Sequence, residues 1–133
     1  MLASAHLSDE EFLKAFHSCR LLNSEFHHAD HLRLAWLHLE REPLETALVY
    51  VRAGIQKFAA HYGAAHLYHE TITTAWVRLL ATHHEKSFAE FLWENEARLS
   101  RELLHRFWTP EVLAREEARA RWIAPDRREL PLP

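Results

Sequence analysis

Phe26-His27-His28-Ala29-Asp30-His31-Leu32-Arg33-Leu34-Ala35-Trp36-Leu37-His38 decides the fold. At 100° per residue, His28, Leu32, Ala35 and Leu39 share the centre of one helical face, while Arg33, Glu40 and Arg41 point away from it. His31 and His38 lie at the edge of that face, one above the other across two turns. The pattern predicts an amphipathic helix from about His27 to Arg41, entered through the connector Asn23-Ser24-Glu25.

Working outward, the rest of the chain also reads as helix. Upstream, Ser8 and Glu11 have capping-box spacing, and Phe12, Leu13, Phe16 and Cys19 follow at helical intervals, predicting a helix over about Asp9 to Leu22. Downstream, Pro43 suits the first turn of a helix that carries Leu44, Ala47, Leu48, Val51 and Ile55 and ends at Gly63. A fourth helix is expected from about Ala65 to His83, with Ile72, Trp76, Val77, Leu79 and Leu80 on its core side. Ser87 is placed to cap a shorter helix through Phe88, Phe91, Leu92 and Ala97, continuing towards Phe107. Thr109-Pro110-Glu111 opens another, through Leu113, Ala118 and Trp122, until Pro125 breaks it. Residues 126–133 are expected as an extended surface tail. The expected fold is all-α: one domain over residues 1–133, an up-and-down four-helix bundle with extra terminal helices.

Composition agrees with that class and narrows the function. The 133 residues can bury a core without a disulfide or structural metal, and 48% are apolar. Two glycines and five prolines are sparse punctuation, which favours long helices over many strands and turns. A net charge of −3 offers no basic footprint for nucleic acid. Lone Cys19 rules out an internal disulfide and suits a reducing compartment. No apolar run reaches membrane-spanning length, and the start of the chain lacks the features of a signal peptide, so a cytoplasmic protein is expected. The anomaly is twelve histidines.

The second informative stretch is His66-Leu67-Tyr68-His69-Glu70-Thr71-Ile72-Thr73. On the expected fourth helix His66, His69, Glu70 and Thr73 fall within the arc that also holds Trp76, Val77 and Leu80. A carboxylate among apolar residues is paired or metal-bound far more often than left alone. The combination follows the logic of carboxylate-bridged bundles, in which facing helices contribute Glu and His at three- or four-residue spacing. Packing of the second and fourth helices would set His28 and His31 against His69 and Glu70. The candidate metal ligands are therefore His28, His31, His66, His69 and Glu70, with Glu70 alternatively a general base to a bound water. Mixed imidazole and carboxylate ligation suits Zn²⁺, Fe²⁺, Mn²⁺ or Ni²⁺. A metal with an open coordination position would activate water for hydrolysis or bind dioxygen, with a small molecule as the expected substrate.

The plainer reading stands beside it. A histidine on an apolar face is commonly a hydrogen-bonded core residue, and a buried His–Glu network, with Thr73 as a further partner, would fix helix register without any metal. The chain would then be a metal-free small-molecule-binding or protein-interaction module, its clustered imidazoles structural or pH-sensing. His27 and His38 are auxiliaries, while His6, His17, His61, His83, His84 and His105 read as scattered surface or edge residues. Trp36, Trp76, Trp93, Phe88, Phe91 and Phe107 read as core, and Trp36, Trp76 and Tyr68 could also line an apolar pocket. Cys19 reads as a small core residue, and catalytic triads and phosphate loops are absent.

The strings from Phe26 to Trp36 and from Tyr68 to Thr73, with the ending Ala118-Arg119 … Trp122 … Pro125-Asp126 … Leu130-Pro131, resemble a small, largely uncharacterised bacterial family. The resemblance covers roughly Phe26 to Pro131 and implies a metal-binding helical bundle, without a reaction. A looser similarity is to the DinB-like bundles, which hold a metal with three histidines on different helices at spacings unlike these. The HD-domain hydrolases use a contiguous His-Asp pair, which is missing here because Asp30 precedes His31.

Overall fold

The structure is a computed structural model that describes residues 6–96 and 99–133. The chain is all-α, with no β-strand among the described residues. It divides into two compact units, Met1–Tyr68 and His69–Pro133.

The first unit contains α1 (Asp9–His17), α2 (His28–Arg41) and α3 (Leu44–His61). The capping box forms as the sequence predicts: Ser8 Oγ accepts from the Glu11 amide at 3.2 Å and Glu11 Oε1 from the Ser8 amide at 3.0 Å. α1 ends one turn earlier than its apolar spacing suggests. Cys19 adopts φ +60°, and the Cys19 and Arg20 amides fold back onto the carbonyls of Phe16 and Ala15 at 3.0 and 2.8 Å. These are the two bonds of a Schellman closure, with cysteine in the left-handed position usually held by glycine. α3 closes the same way around Gly63 (φ +70°), where a glycine does mark the stop.

α2 starts within one residue of its expected boundary, with the Asp30 carboxylate accepting from the His27 amide at 2.9 Å. α2 and α3, joined through Glu42-Pro43, form an antiparallel hairpin. His38, late in α2, stacks on Tyr50, early in α3; Phe26, just before α2, meets Phe58 near the end of α3. The middle of α2 is buried over a wider arc than one face, through Leu32, Leu34, Ala35, Trp36, Leu37 and His38. Arg33 does not point into solvent. It lies 4.4 Å from the centre of the Phe12 ring, hydrogen-bonds the Leu7 carbonyl and pairs with Asp9 at 2.9 Å, so its stem and charge tie α1 to α2. Phe16 stacks with Phe26 and Phe58 at centroid distances of 4.9 and 5.2 Å, which closes the core between α1 and α3.

The second unit contains α4 (Glu70–Leu80), α5 (Phe88–Asn95), a 3₁₀ helix (Arg101–Arg106), α6 (Pro110–Leu113) and α7 (Glu116–Ala120). Ser87 and Thr109 cap α5 and α6 as expected, accepting from the amides of Glu90 and Val112. The helix expected through Ala97 stops at Asn95, and Ala97 itself lies outside the described residues. Trp93 is not core: it is 86% exposed, because the short α5 turns Phe91 inwards and Trp93 lies 200° round the helix from it. The helix expected from Pro110 to Trp122 is two short helices with extended backbone at Arg115 between them. Beyond α7 the chain runs without helix to Pro133. Its start is anchored: Trp108, fully buried, donates Nε1–H to the Ile123 carbonyl at 2.9 Å, and Asp126 accepts from the Thr109 amide and hydroxyl at 2.9 and 3.0 Å.

Two substitutions check the packing of the first unit. A Cβ on Gly54 would fall 2.7 Å from Phe16 Cε2 and 2.9 Å from His17 Cε1, so Gly54→Ala, ordinarily favourable within a helix, should destabilise by about 1–3 kcal/mol. Cys19→Gly should instead stabilise by up to about 1 kcal/mol, since glycine carries no Cβ strain in the left-handed region. Urea unfolding of the full chain reads both.

Candidate functional site

Each expected ligand has a definite place within its own unit. His28 is the first residue of α2 and is half-buried. His31, half-buried one turn later, stacks on the Phe26 ring at a centroid distance of 4.2 Å. His66 sits in a separate 3₁₀ turn, Ala65–Leu67, and is exposed. The single helix expected from Ala65 to His83 is therefore corrected: α4 begins at Glu70, and His66 and His69 share no helical arc with it. Thr73 is likewise not the partner of Glu70. Thr74 Oγ1 donates to Glu70 Oε2 at 3.3 Å, and Glu70 occupies the first helical position, where the helix dipole favours a negative charge.

His69 explains the correction. It stands in extended backbone as the N-cap of α4 and its Nδ1 accepts from the Ile72 amide at 3.1 Å. Histidine is an uncommon cap, but it satisfies the same orphaned amide that a Ser or Asp would. That bond requires a lone pair on Nδ1 and so fixes the proton on Nε2, which donates to the Leu113 carbonyl at 2.8 Å. Both nitrogens of a ring only 9% exposed are thus engaged by backbone.

Thr71, fully buried two residues later, extends the same contact surface. Its hydroxyl lies 2.7 Å from the Ala118 carbonyl and 2.8 Å from that of Arg121, and it accepts from the Ile123 amide at 3.2 Å. One hydroxyl proton serves whichever carbonyl it faces, while a lone pair holds Ile123. The cap residue and the second residue of α4 therefore bind the end of α6, the end of α7 and the strand-like exit after it. These contacts also account for the break between α6 and α7. The Leu113 carbonyl, which would accept from residue 117 in a continuous helix, accepts from His69 instead. Arg78 completes the surround, stacked 4.8 Å from the centre of the Trp122 ring, which meets Trp108 edge-on at 5.5 Å.

The first unit holds a histidine contact that sequence reading passed over. His17, the last residue of α1, meets His38 with Nε2 to Nε2 at 2.9 Å, and His38 Nδ1 lies 2.7 Å from Glu42 Oε1. Nothing in the spacing of His17 signals this, since it sits beside, not on, the apolar face of α1. Burial, the His38 ring and the Lys57 ammonium all hold the His17 pKa below its ordinary value. Among the described residues no group of three His, Cys, Asp or Glu side chains is arranged to hold a metal ion. No protein-family profile, curated protein or solved structure matches the chain significantly.

The pH response of His69 follows from its geometry. Burial holds its pKa below the ordinary 6.5, outweighing the opposing effect of the Leu113 hydrogen bond. Below pH 6.5 the unfolded chain then binds the proton before the folded one, so stability is retained above 6.5 and lost as pH falls through that value towards the lowered folded pKa. His17 acts with the same sign. The contribution of His69 is the difference between wild type and His69→Asn, which can still cap but does not titrate: urea unfolding between pH 7.5 and 5 should show a shallower loss in the variant.

Proposed function

We propose that this chain is a helical binding module in which the motif at residues 66–73 is structural, closing the C-terminal part of the second unit onto α4. The observation that carries this reading is the His69 ring, with Nδ1 committed to Ile72 and Nε2 to Leu113. A metal ion at His69 would have to break either the helix cap or the tie to α6, and each leaves a buried backbone group without its partner. Thr71 supports the same reading, since its hydroxyl lies within hydrogen-bond distance of three backbone groups of the segment that follows α6. Within the second unit, the outward-facing indole of Trp93 is the kind of side chain through which an interaction module meets a partner.

The competing reading makes His69 and Glu70 ligands of a transition metal and gives the protein a metal-dependent reaction. The two differ in what protects the backbone of residues 113–123. If the motif is structural, hydrogen exchange at the Ile123 amide stays equally slow in chelator and in added Zn²⁺. Thr71→Val, of nearly the same shape, should speed that exchange and lower stability by about 1–3 kcal/mol by leaving backbone groups unsatisfied. Protection of residues 113–123 that collapses in chelator and returns with Zn²⁺ would establish the metal reading instead.

A further inference from the structure

The His17–His38–Glu42 contact in the first unit joins the ends of α1 and α2 through side chains alone. Glu42 Oε1 accepts a hydrogen bond from His38 Nδ1–H, so a neutral His38 turns the lone pair of Nε2 towards His17, whose Nε2 supplies the one proton between the rings. The ring planes cross at 78°. His17 closes α1 and His38 lies in the last turn of α2, so two helix C-termini, each carrying partial negative charge, meet at this point beside a carboxylate. Tyr50, half exposed, lies over His38 with its ring nearly parallel at 11°; His38 itself is buried and His17 half-buried.

We propose that Nε2 of His17 and Nε2 of His38 bind a divalent transition-metal ion, with Glu42 orienting His38 through Nδ1. The site is separate from residues 66–73 and does not depend on how that motif is read. Loading requires no net loss of a proton from a neutral pair: the His17 proton moves from Nε2 to Nδ1, and the rings tilt until both lone pairs converge on the ion. Metal–imidazole bonds of about 2.0–2.1 Å separate the two nitrogens by about 2.9 Å at adjacent positions of an octahedral or square ion, and by about 3.3 Å on a tetrahedral ion such as Zn²⁺. The Nε2 atoms stand at 2.9 Å in their mutual hydrogen bond, which matches the first separation and lies a few tenths of an ångström short of the second. Among the described residues no third His, Cys, Asp or Glu joins them, so the remaining positions would have to be taken by water reaching the half-buried His17 side of the pair. Nitrogen donors with water suit Ni²⁺, Cu²⁺ or Zn²⁺ and select against Mg²⁺ and Ca²⁺. Lys57, whose ammonium donates to the His17 carbonyl at 3.0 Å, opposes the ion's charge, and Glu42 offsets it. The carboxylate behind a ligating imidazole is the usual device for fixing its tautomer and raising its basicity.

The test uses the tag-free full chain titrated with Zn²⁺ and followed by the side-chain nitrogen resonances of its histidines. Saturation at one equivalent is expected, with the Nε2 signals of His17 and His38 moving together, the Nδ1 proton of His17 appearing and His69 unchanged. His17→Ala and His38→Ala should each weaken binding at least tenfold, and Glu42→Gln by about 10- to 100-fold. Zn²⁺ that moves only other histidines, or binds the His17→Ala and His38→Ala proteins as it binds wild type, overturns the proposal. The resonance experiment reads wild type alone, so it decides the matter even if a variant does not fold.

Discussion

The second unit depends on hydrogen bonds made by two side chains at the start of one helix. His69 and Thr71 reach from the beginning of α4 to the carbonyls of Leu113, Ala118 and Arg121 and to the amide of Ile123. α6 and α7 are four and five residues long, too short to persist by helix propensity, so their shape must come from tertiary contacts. An apolar contact could bury the same surface, but only a hydrogen-bond donor can satisfy the carbonyls where these helices end. Imidazole with fixed tautomer and threonine hydroxyl both meet that need. Trp108 adds a third tie of the same type, its indole N–H closing on the Ile123 carbonyl from the other side of the segment.

The first unit is organised differently, by side-chain packing instead of backbone satisfaction. Phe12, Phe16, Phe26 and Phe58 fill its interior, and Gly54 lets the end of α1 come within contact of the α3 backbone. That close approach brings His17 to the end of α2 and creates the imidazole pair. A methyl group at that position of α3 would stand 2.9 Å from the His17 ring and press on the pair. Arg33 shows the same economy, since its guanidinium covers the Phe12 ring while pairing with Asp9.

Much of this could be read from residues whose local chemistry leaves one outcome. Ser8 with Glu11, Ser87, and Thr109 with Pro110 each announce a helix start because an oxygen at the cap is the cheapest partner for an orphaned amide. Gly63 announces a stop because it alone occupies positive φ without strain. The misreadings fall where an unusual residue takes the same role. Cys19 ends α1 in a glycine's conformation, and His69 begins α4 in place of a Ser or Asp, so neither boundary is signalled by composition. Helical spacing groups Trp93 with the core aromatics, but an eight-residue helix buries only one side. The candidate site shifted for the same cause: once α4 starts at Glu70, the wheel that grouped His66 with Glu70 no longer applies.

The sequence by itself determined that the chain is helical and where α2 and α3 lie. Those properties are local or periodic, set by caps, by glycine and by the 3.6-residue repeat. Only the tertiary structure decided what the histidines touch. Both nitrogens of His69 find backbone partners, one of them 44 residues away, and His17 finds His38 across two helices. An imidazole can cap, donate, accept or ligate with the same two nitrogens, and which of these it does depends on the groups that folding brings within about 3 Å of it.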